Sequence, residues 1–325
     1  MKIGVIGVGN MGRNHVRNIM ELPNHYELIG CYDSSEQNLR GIHEAYGVRC
    51  FDSADKLLNL TEAVVLAVPS SLHRQYGVMS AEHKQHVLIE KPIALSETDG
   101  NVLCDIFNGL GKVLMVGHVE RYNPVVVEMK KVLETECDII AIDARRCSPF
   151  DKRIADTNVI FDLMIHDLDI VLNYIQPNAV KFITANAVIV KSASHSDYVQ
   201  AIFQHETGAI STILASRVTE DKIRTIDIHT KHALIRGDLL NKTLNVIRKT
   251  SFNLDLGYTP TYKQENIVEK IILPNIEPLK AELIEFSNAI RENRVAQTNG
   301  KDAMKALHYA ERINELTSNC PFWGN

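Results

Sequence analysis

Gly7, Gly9 and Gly12 stand in the run GVGNMG, directly after the apolar stretch Ile3 to Ile6 and ahead of a segment able to turn helical. That spacing suits a phosphate. Gly7 permits a tight turn, Gly9 lets the backbone approach a pyrophosphate, and Gly12 allows close helix packing while free N–H groups face the anion. An acid, Asp33, follows about 20 residues after the last glycine, at the end of the next apolar run. Its carboxylate can accept hydrogen bonds from ribose hydroxyls and would repel a 2′-phosphate, which favours NAD over NADP as the bound dinucleotide. The competing reading makes Asp33 a helix cap ahead of Ser34 and Ser35.

Two further groups have the types that proton chemistry needs. Lys91 lies in Glu90-Lys91-Pro92 after another apolar run, at the strand end where open parallel sheets present ligand-binding loops. Its ammonium can donate to a substrate hydroxyl and stabilise charge that develops on that oxygen. Pro92 makes a cis peptide after Lys91 accessible; the plainer alternative for Lys91 is solvent exposure. Asp162 and His166 stand four positions apart in an apolar run, so a helix would point both to one side. Imidazole can accept a hydroxyl proton near neutral pH while the carboxylate orients the sugar or the ring. A solvated polar pair, with Asp167 and Asp169 in water, is the competing reading. Asp162, His166 and Asp169 also have metal-ligating types, but no compact second histidine accompanies them, and no metal is expected. His83/His86 and His229/His232 read as ordinary surface or strand histidines.

These residues need a scaffold of some size. At 325 residues the chain has room for about two domains of roughly 150 residues each. Its 45% hydrophobic and 23% charged composition is that of a globular protein. A net charge of -5 lacks the basic excess that nucleic acid binding requires. Cys31, Cys50, Cys104, Cys137, Cys147 and Cys320 contain no CxxC pair and read as scattered buried thiols, which suits the reducing cytoplasm. Met1 and Lys2 lead straight into a short strand rather than a signal segment, and no stretch approaches a membrane span. A cytoplasmic protein with neither nucleic acid nor membrane as partner is expected.

Ile3 to Ile6, Tyr26 to Tyr32, Ala63 to Val68, His86 to Ile89 and Val113 to Val116 are apolar runs separated by helix-length segments, the βαβ alternation of a doubly wound parallel sheet. After His118 strands follow more closely: Ile139 to Arg145, Lys181 to Val190, Tyr198 to Phe203, Ala209 to Ala215 and Thr225 to His229. Their period of two predicts an open, largely antiparallel sheet with one covered face. Glu206, Thr207 and Gly208 signal a hairpin turn. Pro278 can open a helix that places Leu279, Leu283, Phe286 and Ile290 on one side, and another helix starts near Lys301. The fold class is therefore α/β. Residues 1–122 are assigned to a dinucleotide-binding Rossmann domain, and residues 123–325 to a substrate-binding and oligomerisation domain.

Taken together, GVGNMG at Gly7 to Gly12, VPSSLH at Val68 to His73, EKP at Glu90 to Pro92 and DLMIHDLD at Asp162 to Asp169 resemble the family of glucose-fructose oxidoreductase and inositol 2-dehydrogenase, over nearly the whole chain. The resemblance implies an NAD-dependent oxidoreductase acting on a CH–OH group, with catalytic positions at Lys91, Asp162 and His166. It also implies cofactor contacts at Gly7, Gly9, Asn10, Met11, Gly12, Asp33, Pro69, His73, Glu90 and Lys91, and a homodimer or homotetramer formed through the C-terminal sheet. Within the family, VGHVERYNPVV at Val116 to Val126 and NVIFDLMIHDLDI at Asn158 to Ile170 are most similar to UDP-N-acetylglucosamine 3-dehydrogenases. Lys91, Arg121, Arg145, Asp162 and His166 are then the candidate substrate contacts. Arg145, Arg146, Lys152 and Arg153 offer cations for a sugar-nucleotide diphosphate, or else form a solvated basic loop. Dehydrogenases of a free sugar, an inositol or a UDP-sugar uronate would use the same trio, and a noncatalytic dinucleotide-binding regulator would keep the cofactor site without turnover.

Overall fold

Strands buried on both faces carry unbroken apolar runs, and the first third of the chain obeys that rule. In the computed structural model, which describes residues 1–150, 158–192, 195–254, 261–319 and 321, strand β1 (Lys2–Ile6) is buried from Ile3 onward. β3 (Ala63–Leu66) and β5 (Leu114–Gly117) are buried throughout. With β2 (Glu27–Tyr32) and β4 (His86–Glu90) they form a parallel sheet of order β2-β1-β3-β4-β5. Helices α1 (Asn10–Met20), α2 (Glu36–Tyr46), α3 (Ala54–Leu58), α4 (His73–Glu82) and α5 (Glu97–Leu110) make the crossovers. The chain moves one way from β1 to β2 and the other way to β3. Loops after β1, β2 and β3 therefore surround a switch point, where such sheets bind ligands.

The chain divides into two compact units, but the division is not a single cut. One unit holds Met1–Tyr122 and Ile276–His308; the other holds Asn123–Asn275 and Tyr309–Asn325. An uninterrupted second domain over 123–325 is thus corrected. Helix α8 (Pro278–Arg291) is the reason: its stripe Leu279, Leu283 and Phe286 is buried, and Leu283 and Phe286 share a core with Ile3, Val5, Val16, Ile19 and Met115. Arg17 on α1 holds Glu277 ahead of α8, the Tyr26 hydroxyl donates to the Leu283 carbonyl, and Val116 N–H donates to Thr298 O at 2.8 Å. An amphipathic stripe announces that a helix buries one side without saying against which core. Helix α9 (Gly300–Leu316) follows.

The second unit is built on one sheet of eight strands. Its members are β6 (Ile139–Cys147), β7 (Val180–Val188), β8 (Tyr198–His205), β9 (Ile210–Ser216), β10 (Ile223–Thr230), β11 (Ala233–Asp238), β12 (Thr243–Leu254) and β13 (Thr261–Ile271). Their order is β13-β12-β11-β10-β6-β9-β8-β7, antiparallel except for the parallel pair β6–β9. Gly208 takes φ +88° in the β8–β9 turn, as the turn signal requires. One sheet face packs Ile142, Phe203, Ile213 and Ile226 against Val125 and Met129 of α6 (Pro124–Leu133) and against Ile160, Met164 and Leu168. The other face is open. β11 to β13 were not anticipated, because charges interrupt their apolar alternation. Among the described residues no helix is long and apolar enough to cross a membrane.

Glu282 on α8 is fully buried, and neither carboxylate oxygen has a hydrogen-bond partner among the described residues. Burial, and then the negative charge of Glu90, push its pKa well above the ordinary 4.5. The native state therefore keeps a proton that the unfolded chain releases, and this residue's contribution to stability falls as pH rises from about 4.5 toward the raised pKa. Glu282→Gln removes that dependence. Thermal unfolding should show the variant's advantage over the parent growing between about pH 5 and 8; parallel curves would refute it.

Candidate active site

Two glycines force the turn that leaves β1. Gly7 has φ +86°, and a Cβ there would come within 2.6 Å of Ala67 O; a Cβ on Gly12 would sit 1.9 Å from Gly7 O. Gly9, at the N-cap of α1, differs: nothing lies within 4 Å of where its Cβ would be. That open cradle at a helix start without acidic side chains is where a phosphate can approach the backbone. Asp33, just past β2, accepts Val8 N–H on Oδ2 at 2.7 Å and Ser35 N–H on Oδ1 at 2.8 Å. It braces the glycine turn. The helix-cap role belongs to Ser35, whose hydroxyl accepts from Asn38 N at 3.3 Å.

A cavity of about 560 Å³ opens over this turn, lined by Gly7, Gly9, Met11, Asp33, Pro69, Glu90 and Lys91 from the expected set. That volume lies within the range of cofactor pockets. Tyr32, Ser34, Ser35, Asn38, Leu72 and Tyr76 also line it and were not expected. Asn10 and Gly12 lie in α1 beside the cavity without lining it. The glycine cradle, the helix start and the Asp33 carboxylate are the donor and acceptor set that a dinucleotide needs.

His73 has a different task from the expected cofactor contact. It is fully buried, with Nδ1 2.8 Å from Pro92 O and Nε2 3.0 Å from Val68 O, and so ties together the two loops that carry Pro69 and Lys91. Burial lowers its pKa, opposed by the Pro92 and Val68 carbonyls that face its two ring nitrogens.

Lys91 is half-buried and lines the cavity rather than facing open solvent. The Lys91–Pro92 peptide is cis. Glu90 accepts from fully buried His15 of α1 at 2.8 Å and from the Lys91 backbone N–H at 3.3 Å. Burial pushes the Glu90 carboxyl up, but His15 and the Lys91 charge outweigh it and hold the pKa low. A carboxylate therefore links the strand end bearing Lys91 to the dinucleotide helix.

In the second unit, Asp162 and His166, like Phe161 and Leu163, are half-buried in a segment whose Met164, Ile165 and Leu168 are buried. Helix α7 (Ile165–Asp169) is flanked by π-type turns, Ile160–Met164 and Ile170–Ile175. Such turns recur at functional sites. Asp167 and Asp169 are buried, not solvated; Asp169 accepts from Asn173 at 3.0 Å. Among the described residues no group of three or more His, Cys, Asp or Glu is arranged to hold a metal.

The expected phosphate cations do not gather. Arg146 is buried in a two-bond ion pair with Asp167, which removes it from that set. Neighbours on a strand face opposite ways, so Arg145 is exposed on the open face, beside Leu214 and Thr225. Arg121 is buried and donates to Gln297 O at 2.7 Å and to Asp302 at 2.8 Å, holding the start of α9. Lys152 and Arg153, and likewise Cys320, lie outside the described residues. The thiols are not uniformly scattered and buried either: Cys137 is exposed, and the sulfurs of Cys31 and Cys50 lie 3.8 Å apart.

A parallel sheet with a glycine turn after its first strand and an acid after its second is the arrangement of a dinucleotide-binding Rossmann domain. Residues 1–118 match the oxidoreductase family with the NAD-binding Rossmann fold, named for glucose-fructose oxidoreductase and inositol dehydrogenase. UDP-N-acetylglucosamine 3-dehydrogenase of Acidithiobacillus ferrooxidans is 28% identical over 315 residues, 96% of this chain and 96% of that enzyme. Its solved structure matches with a TM-score of 0.86 at 26% identity, over 98% of each chain. Myo-inositol 2-dehydrogenase of Thermotoga maritima is 24% identical over 231 residues, 67% of this chain and 69% of that enzyme.

Asp33 predicts a measurable cofactor preference. Equilibrium titration should give tighter binding of NAD than of NADP, and Asp33→Ala should weaken NAD binding about tenfold, near 1.4 kcal/mol, while narrowing the gap. Tighter NADP binding by the parent protein would reverse the assignment.

Proposed function

We propose that the chain oxidises the C3 hydroxyl of UDP-N-acetylglucosamine to a 3-keto sugar, working in the cytoplasm with NAD. The end-to-end similarity to a dehydrogenase of that sugar nucleotide carries the choice of substrate. When bound, NAD supplies the hydride acceptor, and the protein supplies alignment and proton transfer. The glycine turn, Asp33 and Lys91 line one cavity, which supports a reacting end beside Lys91. Lys91 donates to the carbinol oxygen and stabilises its developing charge. His166 takes the hydroxyl proton, with Asp162 orienting the ring or the sugar; Lys91 and His166 can exchange these roles. No covalent attachment to the protein is required, so catalysis depends on positioning.

The open sheet face supports assembly into a homodimer or homotetramer. Phe182, Ile202 and Ile210 are exposed on it, and register places them on the same face as Arg145. Arg145 then belongs to a subunit contact as readily as to substrate.

Purified protein given NAD and a panel of UDP-sugars, free sugars and inositols should show reduced-nicotinamide absorbance with UDP-N-acetylglucosamine, and a product lighter by two hydrogens. Turnover only with an inositol or free sugar would replace the substrate; binding without turnover across the panel would favour a regulator. Lys91→Ala and His166→Ala should keep NAD binding and lose turnover by about a hundredfold or more. Near-parental rates in both would remove the roles assigned to them.

A further inference from the structure

Arg146, near the end of β6, sends its guanidinium from the covered sheet face to Asp167, the residue next to His166. Nε donates to Oδ2 and Nη2 to Oδ1, each at 2.8 Å, and both side chains are only 2% exposed. Neighbouring positions on the same covered face are apolar, Ile142 and Ala144 among them. An ion pair taken fully out of water is seldom more stabilising than apolar residues of equal size, because losing hydration offsets the attraction. Stability alone therefore gives little reason for the pair.

What two parallel bonds provide that apolar contact does not is direction, since the planar fork accepts one orientation of the carboxylate. α7 has particular need of it. Ile165 N–H reaches back to Ile160 O, and Gln176 N–H to Val171 O, five residues each, so the i to i−4 ladder is interrupted on both sides of α7. The five residues between two such turns belong to a helical run whose Met164, Ile165 and Leu168 are buried; anchoring Asp167 adds to that packing a directed tie at the residue beside His166. His166 and Asp162, half-buried in this segment, take their direction from how it is held.

We propose that Arg146 and Asp167 are positioning residues for His166, fixing the direction in which its imidazole is presented. The inference rests on His166 being the proton acceptor of the proposed reaction.

The test uses the full-length, NAD-loaded protein and UDP-N-acetylglucosamine. The double substitution Arg146→Met/Asp167→Leu replaces the pair by apolar groups and should leave the melting temperature and NAD affinity near parental values. It should lower kcat by about a hundredfold, the scale of a misplaced catalytic group, with KM changed far less. Without substrate, the imidazole NMR signals of His166, assigned by their loss in His166→Ala, should move in the double variant. Arg146→Lys, which keeps the charge and loses the fork, should recover only part of kcat. A folded double variant with parental kcat and unmoved signals overturns the proposal. If the double variant fails to fold, the same readouts on Arg146→Lys decide, and parental kcat there is equally fatal. His166→Ala separates the two layers: if it abolishes turnover while the pair variants do not, the base assignment stands and the positioning role falls. If His166→Ala retains turnover, the base assignment itself fails.

Discussion

The first unit depends on one approach of backbone to backbone: the Gly7 carbonyl oxygen occupies the space that a side chain on residue 12 would need. Because nothing projects from Gly12, α1 begins directly under the end of β1, and its free N–H groups face the space above the sheet. Gly9 then leaves the approach to them clear. Asp33 reinforces the turn from the neighbouring strand by accepting Val8 N–H. A single residue thus braces the phosphate-binding backbone and presents the carboxylate that would meet a ribose.

Polar groups buried behind each site do the fixing. Glu90 joins the strand end that carries Lys91 to His15 of the dinucleotide helix, while His73 staples the Val68 and Pro92 loops together. Arg146 and Asp167 do the comparable work in the second unit. In a dry interior such groups tolerate few alternative geometries, because a lost partner exposes the full desolvation penalty. Rigid support of this kind is what hydride and proton transfer need when no covalent intermediate forms.

Similarity along the whole chain narrows the substrate class more than the cavity does. The lining near Asp33 and the glycine turn would serve any NAD-dependent member of the family. Substrate choice has to come from side chains outside that lining. Arg121, expected as a substrate contact, and Arg146, expected as a phosphate-binding cation, are both held in internal ion pairs.

Local pattern alone determined the five parallel strands, the glycine turn, the acid after β2, Lys91 at a strand end, and the four-residue spacing of Asp162 and His166. Each is a short-range feature whose meaning lies in backbone sterics, in burial on two faces or in helical period. Tertiary structure decided the rest. Whether a cation is free or paired depends on residues distant in the chain, as Asp302 is from Arg121, and nothing in the run VGHVERYNPVV announces such a partner. Tyr76 enters the cavity from a later crossover helix, and the stripe of α8 is compatible with either core. Burial and pairing are properties of what lies across a contact, and long-range contacts leave no periodic trace in the segments that make them.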